Sequence, residues 1–265
     1  MKTPKLGQHF LIDTAVIEQM ISVAAITSVD TVVEIGPGKG VLTDALVKKA
    51  GRVIAIEKDG DLHHKLKKRY EPEEPITLVH DDIRSFDLGK IPSPYKVVAN
   101  IPYYITGQLI PMFLTAENRP THIVIMIQDE VADRLTAPKG EGSILQMTTQ
   151  VFAHVTKEIF VPRESFSPPP KIDSAVVALA VRSQPLVAPE DQRAFFRLIK
   201  FGFSGKRKKL TNTLPGALKI SKEALAKGLH EAGVSENARP QELDIDQWIV
   251  LYRYIATLLR DEAAT

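Results

Sequence analysis

Five short runs, TVVEIG (31–36), RVIAIE (52–57), ITLVHD (76–81), KVVANI (96–101) and HIVIMI (122–127), constrain this chain more than any other feature. Most of them are apolar throughout rather than at alternate positions, and they recur between longer amphipathic segments. A strand apolar on both faces must be covered on both, and parallel strands joined by helices meet that demand. The expected fold class is therefore α/β, a doubly wound, mostly parallel sheet. Ahead of it, Asp13 is placed to cap a helix in DTAVIEQMISVAA, whose Val16, Ile17, Met20, Ile21 and Ala24 share one stripe. The proline-rich VPRESFSPPPKID is too stiff for a helix and is expected as an irregular loop beside the sheet's edge. The run SAVVALAV from Ser174 then reads as a further strand.

Beyond SQPLVAP (183–189), a linker, the pattern turns helical in DQRAFFRLIKFGF, SKEALAKGLHEAG and DIDQWIVLYRYIATLLRDEA, with Gly233 and Pro240 as punctuation. Two domains are expected, 1–184 and a small all-helical one at 185–265. Trp248, among Ile249, Leu251, Tyr252 and Ile255, reads as core. The net charge of +2 conceals segregation: residues 192–222 hold nine Lys and Arg and no acid, leaving 25 basic against 32 acidic residues elsewhere. Such a segment suits a polyphosphate backbone; a solvated helix face is the plainer reading.

The 265 residues contain no Cys, which removes disulfides, thiolate nucleophiles and cysteine-ligated metals, and fits a reducing compartment. The seven histidines, His63 and His64 on a Lys-rich helix among them, lack metal-ligand spacing, so no metal is expected. The longest apolar run has seven residues, against roughly 20 needed to span a bilayer. With no targeting peptide visible at the start, a cytoplasmic location is expected.

The first strand exits into GPGKG, with Gly36, Gly38 and Gly40 before an amphipathic segment. Glycines there permit a tight turn and close approach of backbone to a ligand. A dinucleotide fingerprint needs glycine at 41, where the chain has Val41. The spacing, with Glu34 upstream, suits a nucleoside cofactor without a pyrophosphate, and S-adenosylmethionine is the usual one. Glu57, ending the second strand, offers acceptors for ribose hydroxyls. Asp82, or less favourably Asp81, offers one to the adenine amine. A tight connection and helix caps are the plainer readings of each feature alone.

The fourth strand runs into Asn100, Ile101, Pro102 and Tyr103. A purine's exocyclic amine is a poor nucleophile because its lone pair is delocalised into the ring. The Asn100 side-chain carbonyl and the Ile101 backbone carbonyl can accept the amine's two hydrogens, Pro102 fixes the turn, and Tyr103 can stack on the base. Such stacking needs an unpaired or flipped base. In isolation the same residues would read as an Asn-capped turn with surface tyrosines.

Together, GQHFLID (7–13), EIGPGKGVLT, AIEKD, HDDI, NIPYYIT, FSPPPKIDSAV and FSGKRKKLTNTL resemble the KsgA-type ribosomal RNA adenine N6,N6-dimethyltransferases over nearly the whole length. The resemblance implies a Rossmann-like S-adenosylmethionine-dependent methyltransferase fold. It also implies a cofactor site bordered by Gln8, His9, Phe10 and Leu11 and lined by Glu34, Gly36, Gly38, Glu57, Lys58, Asp82, Ile83 and Asn100. Asn100, Tyr103 and Phe166 would hold the target base, with Phe166 stacked opposite Tyr103. The implied substrate is a pair of adjacent adenosines in the 3′-terminal hairpin loop of small-subunit ribosomal RNA, each methylated twice, within an immature particle. Ile101 replaces the Leu common in the motif and keeps the backbone carbonyl. Lys206, Arg207, Lys208 and Lys209 are expected to contact phosphate. A monomer is expected, since nothing demands an oligomer. Macrolide-resistance methyltransferases share the glycine loop, NIPY turn and proline block but modify large-subunit RNA, and FSGKRKKLTNTL is more similar to the KsgA form. A DNA adenine methyltransferase needs the same amine chemistry, and a non-catalytic assembly factor could keep the same fold. The short tail argues against the first, and the intact Gly36, Glu57, Asn100 and Tyr103 against the second.

Overall fold

The computed structural model describes residues 9–70, 74–205 and 207–263, so the expectations for Gln8 and Lys206 lie outside the described residues. The chain divides into two compact units, residues 1–133 with 153–183 and residues 134–152 with 184–265.

The first unit begins with β1 (Phe10–Leu11), α1 (Thr14–Val23), β2 (Thr31–Ile35), α2 (Val41–Val47), β3 (Arg52–Glu57), α3 (Gly60–Arg69) and β4 (Ile76–His80). It continues through β5 (Tyr95–Asn100), α4 (Thr106–Thr115) and β6 (His122–Gln128), and α5 (Asp129–Leu135) leads out of it. After α6 (Ile144–Gln150) the chain returns for β7 (Ala153–Val161), β8 (Phe166–Ser167) and β9 (Ser174–Val181). Seven strands form one sheet in the order β4-β3-β2-β5-β6-β9-β7. The first five are parallel, and β9 is antiparallel to both β6 and β7. Each of the five Val/Ile runs is a strand where the pattern placed it. Val32, Val33, Val53, Ala55, Val97 and Val98 are fully shielded from solvent, as strands covered on both faces require.

Asp13 caps α1 by accepting from the backbone N–H groups of Ala15 and Val16. The expected stripe, Val16, Ile17, Met20, Ile21 and Ala24, is buried against the sheet. Each of the four larger side chains contributes about 1.5–3 kcal/mol relative to leaving it exposed. At the other end of α1, Lys96 Nζ on β5 donates to the Ala24 and Ala25 carbonyls at 3.2 and 2.8 Å, tying the helix to the sheet. The sequence pattern does not announce β7: it is the sheet's edge, carries Lys157 and Glu158, and bulges between Lys157 and Ile159, so no apolar run marks it.

The second unit holds α6, α7 (Pro189–Gly202), α8 (Leu210–Leu218), α9 (Lys222–Glu231) and α10 (Ile245–Ala263). Helices α7, α9 and α10 are the three expected ones. α8 is hidden in the sequence by Pro215, which lies inside it. A cut at 184/185 is expected from composition, whereas residues 134–152 belong with the helical unit. Leu186 N–H donates to the Val151 carbonyl at 2.9 Å, Gly140 N–H to the Gln241 carbonyl at 3.0 Å, and the Phe152 and Phe196 rings lie 6.0 Å apart. Trp248 is fully buried, as expected of core. Among the described residues no helix is long and apolar enough to cross a membrane, and no cluster of three or more potential ligands could hold a metal ion.

A Cβ on Gly202 would stand 2.5 Å from Trp248 Cη2 and 3.2 Å from a Leu210 methyl, whereas one on Gly216 of α8 would meet nothing within 4 Å. Gly202→Ala should therefore lose about 1–3 kcal/mol to overpacking, while Gly216→Ala should gain up to about 1 kcal/mol of helix propensity. Denaturant unfolding of the two variants checks this, and equal effects would show that the α7–α10 contact yields without cost.

Candidate active site

At the carboxyl ends of β2 and β5 the sheet parts. These strands pair only over Thr31–Val33 and Tyr95–Val97, so Glu34 and Ile35 have no neighbour on β5. The strand order also reverses here, with β3 and β4 on one side and β6 on the other, the position where open α/β sheets take ligands. A cavity of about 140 Å³ opens at this point. A second cavity, of about 10 Å³ and walled by Ile35, Val97, Leu109 and Phe113 among others, is apolar and barely the size of a water molecule.

The floor of the larger cavity is the glycine loop. Gly36, Gly38 and Gly40 have φ of +64°, +60° and +81°, values a side chain resists. Glu57 holds this loop in place, accepting the Gly38 N–H at 3.1 Å on one carboxylate oxygen and the Asp59 N–H at 2.8 Å on the other. Each oxygen can accept more than one hydrogen bond, so Glu57 retains acceptor capacity toward the cavity it lines. This bracing role is not legible in the sequence.

Glu34 is 1% exposed, and its Oε2 has no hydrogen-bond partner among the described residues. Burial pushes its carboxyl up to about 8; the Asp44 and Glu57 charges act in the same sense, and the Thr43 hydroxyl opposes them.

The roof comes from two segments far apart in sequence. β1 and β8 form a two-residue antiparallel ladder, Phe10 opposite Ser167 and Leu11 opposite Phe166. Ile12 N–H donates to the Ser165 carbonyl at 2.9 Å, Ser165 Oγ to Asp13 Oδ2 at 2.9 Å, and His9 Nδ1 to the Pro168 carbonyl at 2.8 Å. His9, Phe10, Leu11 and Phe166 thereby line the cavity. The Phe10 ring lies over Gly38, with Lys39 Nζ 4.4 Å from its centroid. The FSPPP block is thus not wholly irregular, because its first two residues form a strand.

The remaining wall is the turn after β5. Asn100, Ile101, Pro102 and Tyr103 all line the cavity. Among the described residues, none hydrogen-bonds the Asn100 side-chain amide. The Tyr103 hydroxyl lies 2.6 Å from Ser174 Oγ on β9, and burial raises its pKa.

Twelve expected site residues therefore meet in one cavity. Lys58, Asp82 and Ile83 are not among its lining. The Asp82 carboxylate instead takes Arg84 NH2 at 2.6 Å and Lys58 Nζ at 2.9 Å, and these two cations hold its pKa far below the usual carboxylate range. Ile83 is buried. Lining residues that sequence reasoning does not single out include Pro37, Lys39, Leu42 and Leu62. The signal available for Leu62 is a lone apolar residue in the first turn of the Lys-rich α3.

The family model for ribosomal RNA adenine dimethylase matches residues 1–257. The chain belongs to the ribosomal RNA adenine dimethylase family. Membership makes it a methyltransferase. It is 36% identical over 249 residues to a ribosomal RNA small subunit methyltransferase A of Dehalococcoides mccartyi, covering 93% of this chain and 86% of the relative. It is 35% identical to the protein of that name from Staphylococcus haemolyticus, over 93% and 88%. Among solved structures, a dimethyladenosine transferase from Plasmodium falciparum superposes with a TM-score of 0.78 at 29% identity, covering 92% of this chain and 96% of that one. The 23S rRNA methyltransferase ErmE does so with a TM-score of 0.79 at 27% identity, covering 93% and 99%.

The folded chain holds the Glu34 proton up to about pH 8, while the unfolded chain releases it near the ordinary 4.5. Folded Glu34 thus binds its proton more tightly than unfolded, and native stability falls as pH rises between those values. Glu34→Gln cannot ionise. Its melting temperature relative to the native chain should rise steadily from about pH 5 to about pH 9; a flat difference would show that Glu34 is ionised in the fold throughout.

Proposed function

We propose that this chain dimethylates, with S-adenosylmethionine, the N6 amines of two adjacent adenosines in the 3′-terminal hairpin loop of small-subunit (16S) ribosomal RNA. It would act as a monomer on an immature small subunit, late in assembly and in the cytoplasm. The observation that carries this reading is that Asn100, whose side-chain amide no described residue hydrogen-bonds, lies next to Ile101 and Tyr103 in the same cavity as the glycine loop and Glu57.

The residues present fit the cofactor. A Cβ on Gly36 would meet nothing within 4 Å, so backbone alone faces the open space there. Glu34 Oε2 is buried without a partner among the described residues, a polar atom left for a ligand or a water. Glu57 would take ribose hydroxyls. Asp82 would reach an adenine amine only by relaxing one of its two ion pairs. Bound S-adenosylmethionine supplies an electrophilic methyl group.

The chain's own part is positioning. Asn100 Oδ1 and the Ile101 carbonyl accept the two amine hydrogens, hold the nitrogen toward tetrahedral geometry and free its lone pair. Pro102, with φ of −58°, fixes the step between them and Tyr103. Ser174 anchors the Tyr103 hydroxyl, so the ring is presented as a stacking face rather than as a base. Phe166, held by its ladder to Leu11, covers the opposite face. The displaced amine proton leaves to water.

The fold alone does not choose a subunit, since a 23S rRNA methyltransferase shares it. The choice of the small subunit rests on relatives at 35–36% identity named for it. Arg207, Lys208 and Lys209 are exposed and would grip RNA phosphates, Lys209 after releasing Asn237.

Labelled cofactor should deliver dimethyladenosine to unmethylated small-subunit particles and not to large-subunit particles or DNA. Asn100→Ala should lower that transfer by about a hundredfold with little change in melting temperature. Label in the large subunit would overturn the substrate assignment. Changing Lys206, Arg207, Lys208 and Lys209 together to Ala should weaken particle binding and flatten its dependence on salt, each lost phosphate contact removing about 0.7–0.9 from the logarithmic slope. An unchanged slope would place the RNA grip elsewhere.

A further inference from the structure

Eight large apolar residues stand exposed among the described residues, and three of them are close in the chain to residues that line or brace the cavity. Ile12, 54% exposed, follows the lining residue Leu11, and Tyr104, 77% exposed, follows the lining residue Tyr103. Ile172, 43% exposed, lies two residues before Ser174, the partner of the Tyr103 hydroxyl. Single exposed apolar residues are ordinary, so exposure alone marks no site.

Tyr104 stands out because its exposure is enforced. It is the middle of a three-residue 3₁₀ turn, Tyr103–Ile105, where successive side chains diverge by about 120°. Tyr103 is tied inward to Ser174, and Ile105 is buried at 6% exposure. With both neighbours anchored, the Tyr104 ring is directed outward. Arg84 is not free to pack on it, because its Nε and NH2 are fixed on Asp82 at 3.0 and 2.6 Å. A rigidly presented, exposed aromatic ring is a surface on which unpaired bases stack.

We propose that Tyr104 is a second stacking residue, receiving on the outer lip of the cavity the unpaired base next to the target adenine. This rests on the RNA adenine reading above. A target base drawn between Tyr103 and Phe166 leaves its strand neighbour without a stacking partner. Tyr104, one residue along the same turn, offers that neighbour a face. The two tyrosines thus divide the work: Tyr103 holds the base that reacts, and Tyr104 holds the strand so that this base stays out.

Steady-state methyl transfer to unmethylated small-subunit particles by the full chain tests this, with Tyr104→Ala, Tyr104→Phe and Asn100→Ala compared. Tyr104→Ala should lower kcat/KM about tenfold, mainly through KM, while the melting temperature and its rise with S-adenosylmethionine stay at native values. Tyr104→Phe should restore most of the loss. In parallel, an RNA hairpin carrying 2-aminopurine beside the target adenine should lose fluorescence on binding the native and Phe forms, and much less on binding the Ala form. Native kcat/KM in Tyr104→Ala, or equal quenching by all three, would overturn the proposal while leaving the methyltransferase reading intact. Absence of transfer by the native chain, or full transfer by Asn100→Ala, would instead bring down the underlying reading of the site, and the assignment of Tyr104 with it.

Discussion

Parallel pairing is the constraint on which everything at the site depends. Glu34 stands opposite Ala55 in the β2–β3 ladder, Glu57 opposite His80 in the β3–β4 ladder, and Asn100 opposite Met126 in the β5–β6 ladder. Strands that all run one way discharge their last residues at one edge of the sheet, so polar groups separated by dozens of residues emerge side by side. The same geometry imposes a cost. A carboxyl at the end of a strand covered on both faces is deprived of water, and Glu34 responds by holding its proton. The Val and Ile runs that make the sheet stable also make this one acid unlike the others.

A floor alone would leave the site open. Its roof is a two-residue ladder, too short to be stable by itself, and it persists because its neighbours are tied down. The Asp13 carboxylate takes Ser165, the Ser165 carbonyl takes Ile12, and the Pro168 carbonyl takes His9. Helix α1, buried along its whole apolar stripe, is the mass against which this thin strap is held.

The sheet and the identity of most site residues are legible in the chain, because burial on both faces writes itself as unbroken apolar runs, and glycine, proline and asparagine at strand ends are chemically specific. What stays illegible has physical reasons. β7 is an edge strand whose charged residues erase the apolar pattern, and α8 contains a proline that ordinarily ends helices. Residues 134–152 join the helical unit through backbone bonds to residues 186 and 241, which no local pattern announces. Asp82 occupies the expected strand end, yet a cation two residues on, Arg84, claims its carboxylate. Sequence order reports where a side chain starts; it does not report which neighbour reaches it first. The ladder between β1 and β8 is invisible for the same reason, since its halves lie about 155 residues apart.

The two oxygens of Asp13 belong to different structures. Oδ1 closes the first turn of α1, and Oδ2 receives the hydroxyl of Ser165, the residue before the strand that carries Phe166. A helix terminus and a cavity roof thus share one carboxylate. Fraying of the first turn of α1 and release of the Phe166 strand are therefore linked through Asp13, and hydrogen exchange at the Ala15 amide is the place to read that link.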